Sequence, residues 1–171
     1  MKVICVSGTP GTGKTTLSKK LAKRLNFYYL DVNKLIVKNR LYEGYDKKRR
    51  TKIVDIAILN KFLIKEIKNF QKQNKKNGVI IDSHLSHYLP RKYVDLCIVA
   101  KCDIKELNKR LRNKKFSENK IKENLQSEIF DICYNESLER KHRVLVVDTA
   151  KSFNMNNLIR KLGDPNAISK S

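Results

Sequence analysis

The stretch Gly8-Thr9-Pro10-Gly11-Thr12-Gly13-Lys14-Thr15 constrains what this chain can fold into more than any other. It fits the pattern G-x-x-x-x-G-K-[ST], whose context is a buried strand before the loop and a helix after it. Both flanks have the expected pattern. Val3-Ile4-Cys5-Val6 is a continuous apolar run, and Leu17, Leu21, Ala22 and Leu25 recur at helical spacing. Such a strand, loop and helix aims backbone N–H groups at an anion, and the helix N-terminus adds favourable dipole charge. Lys14 is placed to reach the β- and γ-phosphates of a nucleotide, and the Thr15 hydroxyl to hold Mg²⁺. A bare glycine-rich turn is the bland alternative.

Four further apolar runs follow: 27–30, 79–82, 96–100 and 144–148. Helical patterns separate them. One is a long helix with Ile53, Ile56, Ala57, Leu63, Ile64, Ile67 and Phe70 on a single stripe. Others run from Ile104 to Leu111, Ile121 to Tyr134 and Met155 to Leu162. The turn-rich segment Tyr42 to Asp46 interrupts the alternation, and Gly78 is read as a helix terminator. Five strands separated by helices predict an α/β fold: a five-stranded parallel sheet, right-handed crossovers and helices on both faces. A ligand then belongs at the carboxyl ends of the strands. Residues 1–162 read as one domain and 163–171 as a loosely packed tail.

Lys+Arg number 38 against 17 Asp+Glu, a net charge of +21. That balance favours polyanionic partners such as RNA. A lysine-rich proteome would produce the same excess without any such partner. Cys5, Cys97, Cys102 and Cys133 show no C-x-x-C spacing and read as reduced cysteines. No signal peptide and no run of membrane-spanning length are apparent, so a soluble cytoplasmic protein is expected, or a nuclear one if the source is eukaryotic.

Val79-Ile80-Ile81-Asp82 ends an apolar strand in a carboxylate, which suits orienting the waters around Mg²⁺. His84 lies two residues on, where a γ-phosphate should sit. It is a candidate for orienting a nucleophilic water or holding the loop beside Asp82. His87 and His142 are assigned to ordinary loops or surfaces. The basic run Lys109, Arg110, Arg112, Lys114 and Lys115 suits either a solvated helix face or a mobile lid that neutralises transferring oxygens.

Several blocks occur in a characteristic order: Gly8 to Thr16, Leu41-Tyr42-Glu43-Gly44-Tyr45-Asp46, Gly78 to His84 with Pro90, and Asn124 to Phe130. With them the chain resembles the adenylate kinase isoenzyme six / coilin-interacting nuclear ATPase protein family over about residues 1–150. Ser83-His84-Leu85 is similar to its archaeal members. The resemblance implies a P-loop NTPase of nucleoside monophosphate kinase type, with a monophosphate-binding insert at about 31–54 and a lid at about 113–123. It implies Mg²⁺-dependent phosphoryl transfer from ATP to AMP, ATP hydrolysis, and a role late in small-subunit ribosome maturation. The partners it implies are the platform ribosomal protein of the eleventh small-subunit family and the small-subunit rRNA precursor; apart from the resemblance, a monomer is the expected working unit.

By the same resemblance Lys14, Asp82, His84 and Arg110 are the catalytic candidates. Gly11, Gly13, Lys14, Thr15, Thr16, Arg110 and Lys114 are the ATP contacts, and Thr15 and Asp82 the metal contacts. Lys38, Arg40 and Arg50, with Arg49, are candidates for the monophosphate. The family's lid Arg-Gly-Tyr is replaced by Lys114-Lys115-Phe116, and lysine lacks arginine's bidentate fork. Three readings stay open: a monophosphate kinase with adenylate preference, an ATPase switch in ribosome assembly, and another small-molecule kinase of shikimate- or cofactor-kinase type. Tyr42 to Asp46 and the Asp82-x-His84 pair argue against the third.

Overall fold

The computed structural model describes residues 1–47, 51–150 and 154–163. Its strands are β1 (Lys2–Ser7), β2 (Tyr28–Asp31), β3 (Gly44–Asp46), β4 (Thr51–Ile53), β5 (Gly78–Asp82), β6 (Leu96–Lys101) and β7 (Val144–Asp148). Its helices are α1 (Lys14–Leu25), α2 (Val32–Lys38), α3 (Ile56–Gln73), α4 (Ile104–Asn113), α5 (Glu118–Ile129), α6 (Ile132–Glu139) and α7 (Met155–Gly163). Five strands form one sheet in the order β2-β5-β1-β6-β7, and every pair in it is parallel. This is the sheet expected from the five apolar runs. β1 is its central strand, so the loop after β1 is rooted at the middle of the carboxyl edge.

The central strands are apolar on both faces because helices cover both. Val3 and Cys5 of β1, Val79 and Ile81 of β5, and Cys97 and Val99 of β6 pack into one core with Leu59, Leu63 and Ile67 of α3. Their neighbours Ile4, Val6, Ile80, Leu96 and Ile98 face the other way, against Leu17 and Leu21 of α1 and Leu158 and Leu162 of α7. This is the two-residue period of a strand read against the 3.6-residue period of a helix. A third cluster, Cys102, Leu107, Leu111 and Ile121, locks α4 to α5.

Several local readings are corrected. Tyr42 to Asp46 is not simply a turn, because Gly44–Asp46 pairs antiparallel with Thr51–Ile53 as a hairpin. Ile53 therefore belongs to that hairpin and is exposed, and Leu59, not Ala57, carries the first turns of the α3 stripe. Asp55 sets the start of α3 by accepting from the amides of Ala57 and Ile58 at 2.6 and 3.0 Å. Asn74, in the left-handed region at φ 49°, ends the helix, whereas Gly78 opens β5. The single helix expected from Ile121 to Tyr134 is two, broken at Asp131 with φ 54°. Gly163 is the last residue of α7, and the remainder of the expected tail lies outside the described residues. All four cysteines are free thiols, and among the described residues no helix is long and apolar enough to cross a membrane.

Candidate active site

The loop between β1 and α1 takes its shape from glycines at positive φ: 133° at Gly8, 98° at Gly11 and 88° at Gly13. At Gly8 the lack of a side chain is obligatory, since a Cβ would lie 2.3 Å from the carbonyl oxygen of Ala100 in β6. A Cβ on Gly11 would meet Leu107 and Leu111 of α4 at 2.9 Å. Inside the loop, three donors converge on one acceptor. The carbonyl of Thr9 accepts from the Thr12 amide at 3.2 Å, the Thr12 hydroxyl at 2.9 Å and the Lys14 ammonium at 2.8 Å.

Lys14 is 9% exposed and, among the described residues, forms no ion pair with a carboxylate. Burial pulls its pKa down to about 8. A buried cation held only by a backbone carbonyl is costly unless an anion joins it. The loop is thus a cationic cradle for a polyphosphate, at the N-terminus of α1.

A cleft of about 820 Å³ opens over this loop. It brings together Gly11, Gly13, Lys14, Thr15, Thr16, Asp82, His84, Arg110 and Lys114. Asp82, the last residue of β5, is in register with Val6 of β1 on one side and Asp31 of β2 on the other. The Tyr29 hydroxyl donates to its Oδ2 at 2.8 Å, and burial together with the Asp82 carboxylate pushes the Tyr29 pKa up. The Thr15 hydroxyl and the Asp82 carboxylate line the same cleft beside the phosphate cradle. They are hard oxygen donors of the kind Mg²⁺ takes, together with substrate phosphates and retained waters, so this donor set fits that ion.

His84 is exposed to solvent on one side and walled by protein on the others. That partial desolvation, and then the Lys14 charge, lower its pKa. The pKa falls to about 4, so the ring is neutral at pH 7.

Arg110 of α4 reaches the cleft while already engaged. Its Nε donates to Glu106 at 2.9 Å, and its Nη2 donates to the carbonyl of Thr149 at 3.0 Å. Residues 114–117 form a short turn, Lys115 has φ 55°, and Ile121 of α5 is buried against α4. Lys38 and Arg40 are exposed at the end of α2 and just beyond it, outside the lining of this cleft. Arg49 and Arg50 lie outside the described residues.

Phe116, from the stretch that replaces the family's lid motif, also lines the cleft, as do Asn33, Thr149 and Met155, which have no motif to mark them. Thr149 had one available signal: it directly follows β7, at the same strand edge that carries the phosphate loop and Asp82. His87 and His142 are not surface histidines. His87 is 1% and His142 5% exposed, because Glu136 of α6 supplies a partner for the His87 ring and the His87 carbonyl supplies one for His142.

A strand, glycine loop and helix that hold an unpaired buried lysine, with a carboxylate at the end of the neighbouring strand, define a P-loop nucleotide-binding protein of α/β class. The AAA domain family matches residues 4–131. The chain is 35% identical over 147 residues to "Putative adenylate kinase" of Methanosarcina acetivorans, covering 86% of this chain and 77% of that one. It is 36% identical over 146 residues to "Putative adenylate kinase" of Methanocaldococcus jannaschii, covering 85% and 76%. The chain belongs to the AAA domain family and to the group of archaeal proteins that carry the name "Putative adenylate kinase". Among solved structures it is similar to deoxyadenosine kinase from M. mycoides with bound dATP, with a TM-score of 0.58 at 15% identity over 96% of this chain and 100% of that one. It is also similar to TT1252 from Thermus thermophilus, with a TM-score of 0.59 at 14% identity over 95% and 94%. These two likenesses concern the fold alone.

Proposed function

We propose that this chain moves the terminal phosphate of ATP to a nucleoside monophosphate, with AMP as the preferred acceptor, and that it also hydrolyses ATP. The observation that carries the reading is Lys14: a buried ammonium whose protein partner is a backbone carbonyl, in a cleft shared with Thr15, Asp82 and Arg110. In transfer, an α-phosphate oxygen of AMP forms a bond to the γ-phosphorus of ATP as the β–γ bridging P–O bond breaks, giving two ADP. Lys14 and Arg110 neutralise charge on the transferring oxygens, and the loop amides orient the phosphates. Thr15 would hold Mg²⁺ directly and Asp82 would orient its retained waters, and the ion would supply charge neutralisation. In hydrolysis water replaces AMP as nucleophile, and neutral His84 orients it. Residues 31–54 receive the monophosphate and 113–123 act as the lid. Lys38, Arg40 and Arg50 are the candidate monophosphate contacts.

The test is Lys14→Ala. We expect ATP turnover in both reactions to fall by at least about 100-fold, the usual scale for losing one transition-state charge contact, with the thermal unfolding transition retained. Unchanged turnover in the folded variant would overturn the reading.

The +21 charge favours a particular setting. The resemblance to the adenylate kinase isoenzyme six family supports that setting, an ATPase switch in late small-subunit maturation for a cytoplasmic monomer, and the charge fits its rRNA neighbourhood. The partners in this setting are the platform ribosomal protein and the rRNA precursor. Binding to an rRNA fragment should weaken steeply with salt through counterion release. Binding to the ribosomal protein should depend less on salt and more on whether ATP or ADP is present. Both are measurable across a salt series with each nucleotide. Fast adenylate kinase turnover with no affinity for either partner leaves a metabolic kinase instead.

A further inference from the structure

Ser7, His87 and Glu136 form a chain of hydrogen bonds that runs from the buried end of β1, beside the phosphate loop, to a half-buried carboxylate. The Ser7 hydroxyl lies 2.6 Å from His87 Nδ1, and His87 Nε2 lies 2.8 Å from Glu136 Oε2. The other carboxylate oxygen of Glu136 accepts from the Tyr88 hydroxyl at 2.8 Å. Serine, histidine and carboxylate in a row resemble a hydrolytic triad. Ser7, however, is fully buried, so no substrate reaches its oxygen and a nucleophilic role is excluded.

The direction of each bond follows from the groups. A carboxylate only accepts, so His87 carries its hydrogen on Nε2 and its Nδ1 is a bare acceptor. The Ser7 hydroxyl therefore donates to Nδ1. One hydroxyl hydrogen cannot serve two acceptors, so the competing contact from Ser7 to the carbonyl of His84, at 3.4 Å, stays long.

Ser7 ends β1 and directly precedes Gly8, the first residue of the phosphate loop. The carbonyl of its neighbour Val6 accepts from the Ser83 amide at 3.3 Å and the Ser86 hydroxyl at 3.2 Å. The two segments that build the cleft floor are thus joined at this strand end, and the Ser7 hydroxyl is oriented by a ring that is 1% exposed.

We propose that His87 is a positioning residue for phosphoryl transfer. Backed by Glu136, it fixes the direction of the Ser7 hydroxyl, and through Ser7 it holds the end of β1, where the phosphate loop begins. The inference rests on the nucleotide-transfer reading above for its consequence, though not for its geometry.

Three substitutions separate the two bonds of the ring. His87→Asn keeps an acceptor near the Nδ1 position and loses Glu136. His87→Gln reaches Glu136 and loses the acceptor for Ser7. His87→Ala loses both. In variants that melt cooperatively, His87→Gln and His87→Ala should lower kcat for ATP about 10-fold to 100-fold, since a misplacement of 1 Å costs up to about 100-fold. KM for ATP should stay within about 3-fold, because the loop amides and Lys14 remain. His87→Asn should restore most of kcat. Ser7→Ala, which removes one buried oxygen, should reproduce the His87→Gln loss and serves if the His87 variants do not fold.

Histidine side-chain NMR of the unaltered protein should find the hydrogen on Nε2. The backbone amides of Gly8 to Lys14 and of His84 should shift in His87→Gln but not in His87→Asn. Equal kcat across the three variants, a hydrogen on Nδ1, or unmoved amides in His87→Gln would overturn the proposal. If the unaltered protein consumes no ATP, the functional reading fails by itself, and the NMR results still decide whether His87 positions the loop.

Discussion

The Arg110 guanidinium donates to the carbonyl of Thr149 at 3.0 Å across 39 residues of chain, and the Thr149 hydroxyl in turn donates to the carbonyl of Thr12 in the phosphate loop. The Thr149 amide donates to the carbonyl of Lys101 at 2.9 Å, so the residue sits where the ends of β6 and β7 meet the loop. A charged side chain that lines the cleft is thereby referenced to the glycine loop. Thr149→Val removes the hydroxyl, keeps the β-branched shape and leaves the Thr12 carbonyl short of a donor. The expected result is a loss of about 1–3 kcal/mol of stability, the scale of one unsatisfied buried group, and a raised KM for ATP. Urea unfolding and steady-state kinetics on the variant check both.

What was legible in the sequence was what depends on neighbours along the chain. The five apolar runs became five parallel strands, because unbroken runs between helical patterns have few other ways to be buried. The phosphate loop with Asp82 at a strand end placed the cleft at the carboxyl edge. What was not legible depends on distant partners. His87 looked like a loop histidine because Glu136, which makes its burial affordable, lies 49 residues away. The break at Asp131 was hidden because Ile129, Phe130 and Ile132 prolong an apolar pattern while all three are exposed. Thr149 has no motif, and its role appears only when the ends of β6 and β7 are brought beside the loop.

Gly78 is a packing glycine, not a helix terminator. A Cβ there would lie 2.3, 2.5 and 2.6 Å from three atoms of the Phe27 ring, which covers the start of β5. An aromatic ring cannot fold away from such a contact, so Gly78→Ala should destabilise the protein by about 1–3 kcal/mol, as overpacking does. In a Phe27→Leu background the cost should shrink, because the flexible side chain can yield. Thermal or urea unfolding of the two single variants and the double variant measures this coupling.

The depressed pKa of Lys14 has a signed consequence for stability. Below pH 8 the lysine is protonated whether folded or unfolded, and the cost of burying its charge is fully present. Between about 8, its folded value, and 10.5, its ordinary value, the unfolded chain binds a proton that the folded chain has released. Stability from this group therefore rises with pH across that window, by up to ~3 kcal/mol. Compared with Lys14→Met, the unaltered protein should gain stability from pH 8 to 10 in urea unfolding. ATP should reverse the shift by pairing the ammonium with phosphate. Binding at pH 8.5 should then take up a proton, seen as a buffer-dependent heat in calorimetry and lost in Lys14→Met.

In the proposed function, His84 separates the two fates of the γ-phosphate. Water has no binding energy of its own to orient it, whereas AMP is held by the rest of its structure. The His84 pKa is lowered, by desolvation first and the Lys14 charge second, so the ring is already neutral from pH 6 to 8. Its contribution should therefore be flat with pH over that range. His84→Gly should cut ATP hydrolysis by about 10-fold or more beyond any loss in transfer to AMP, at the lower end of what a positioned proton-transfer group contributes. Parallel assays of phosphate release and ADP formation, run at pH 6, 7 and 8, give the comparison. Equal losses in both reactions would make His84 a general support of the cleft. A hydrolysis rate that climbs steeply from pH 6 to 8 in the unaltered protein would mean that the ring still titrates there and that its environment is not the one described.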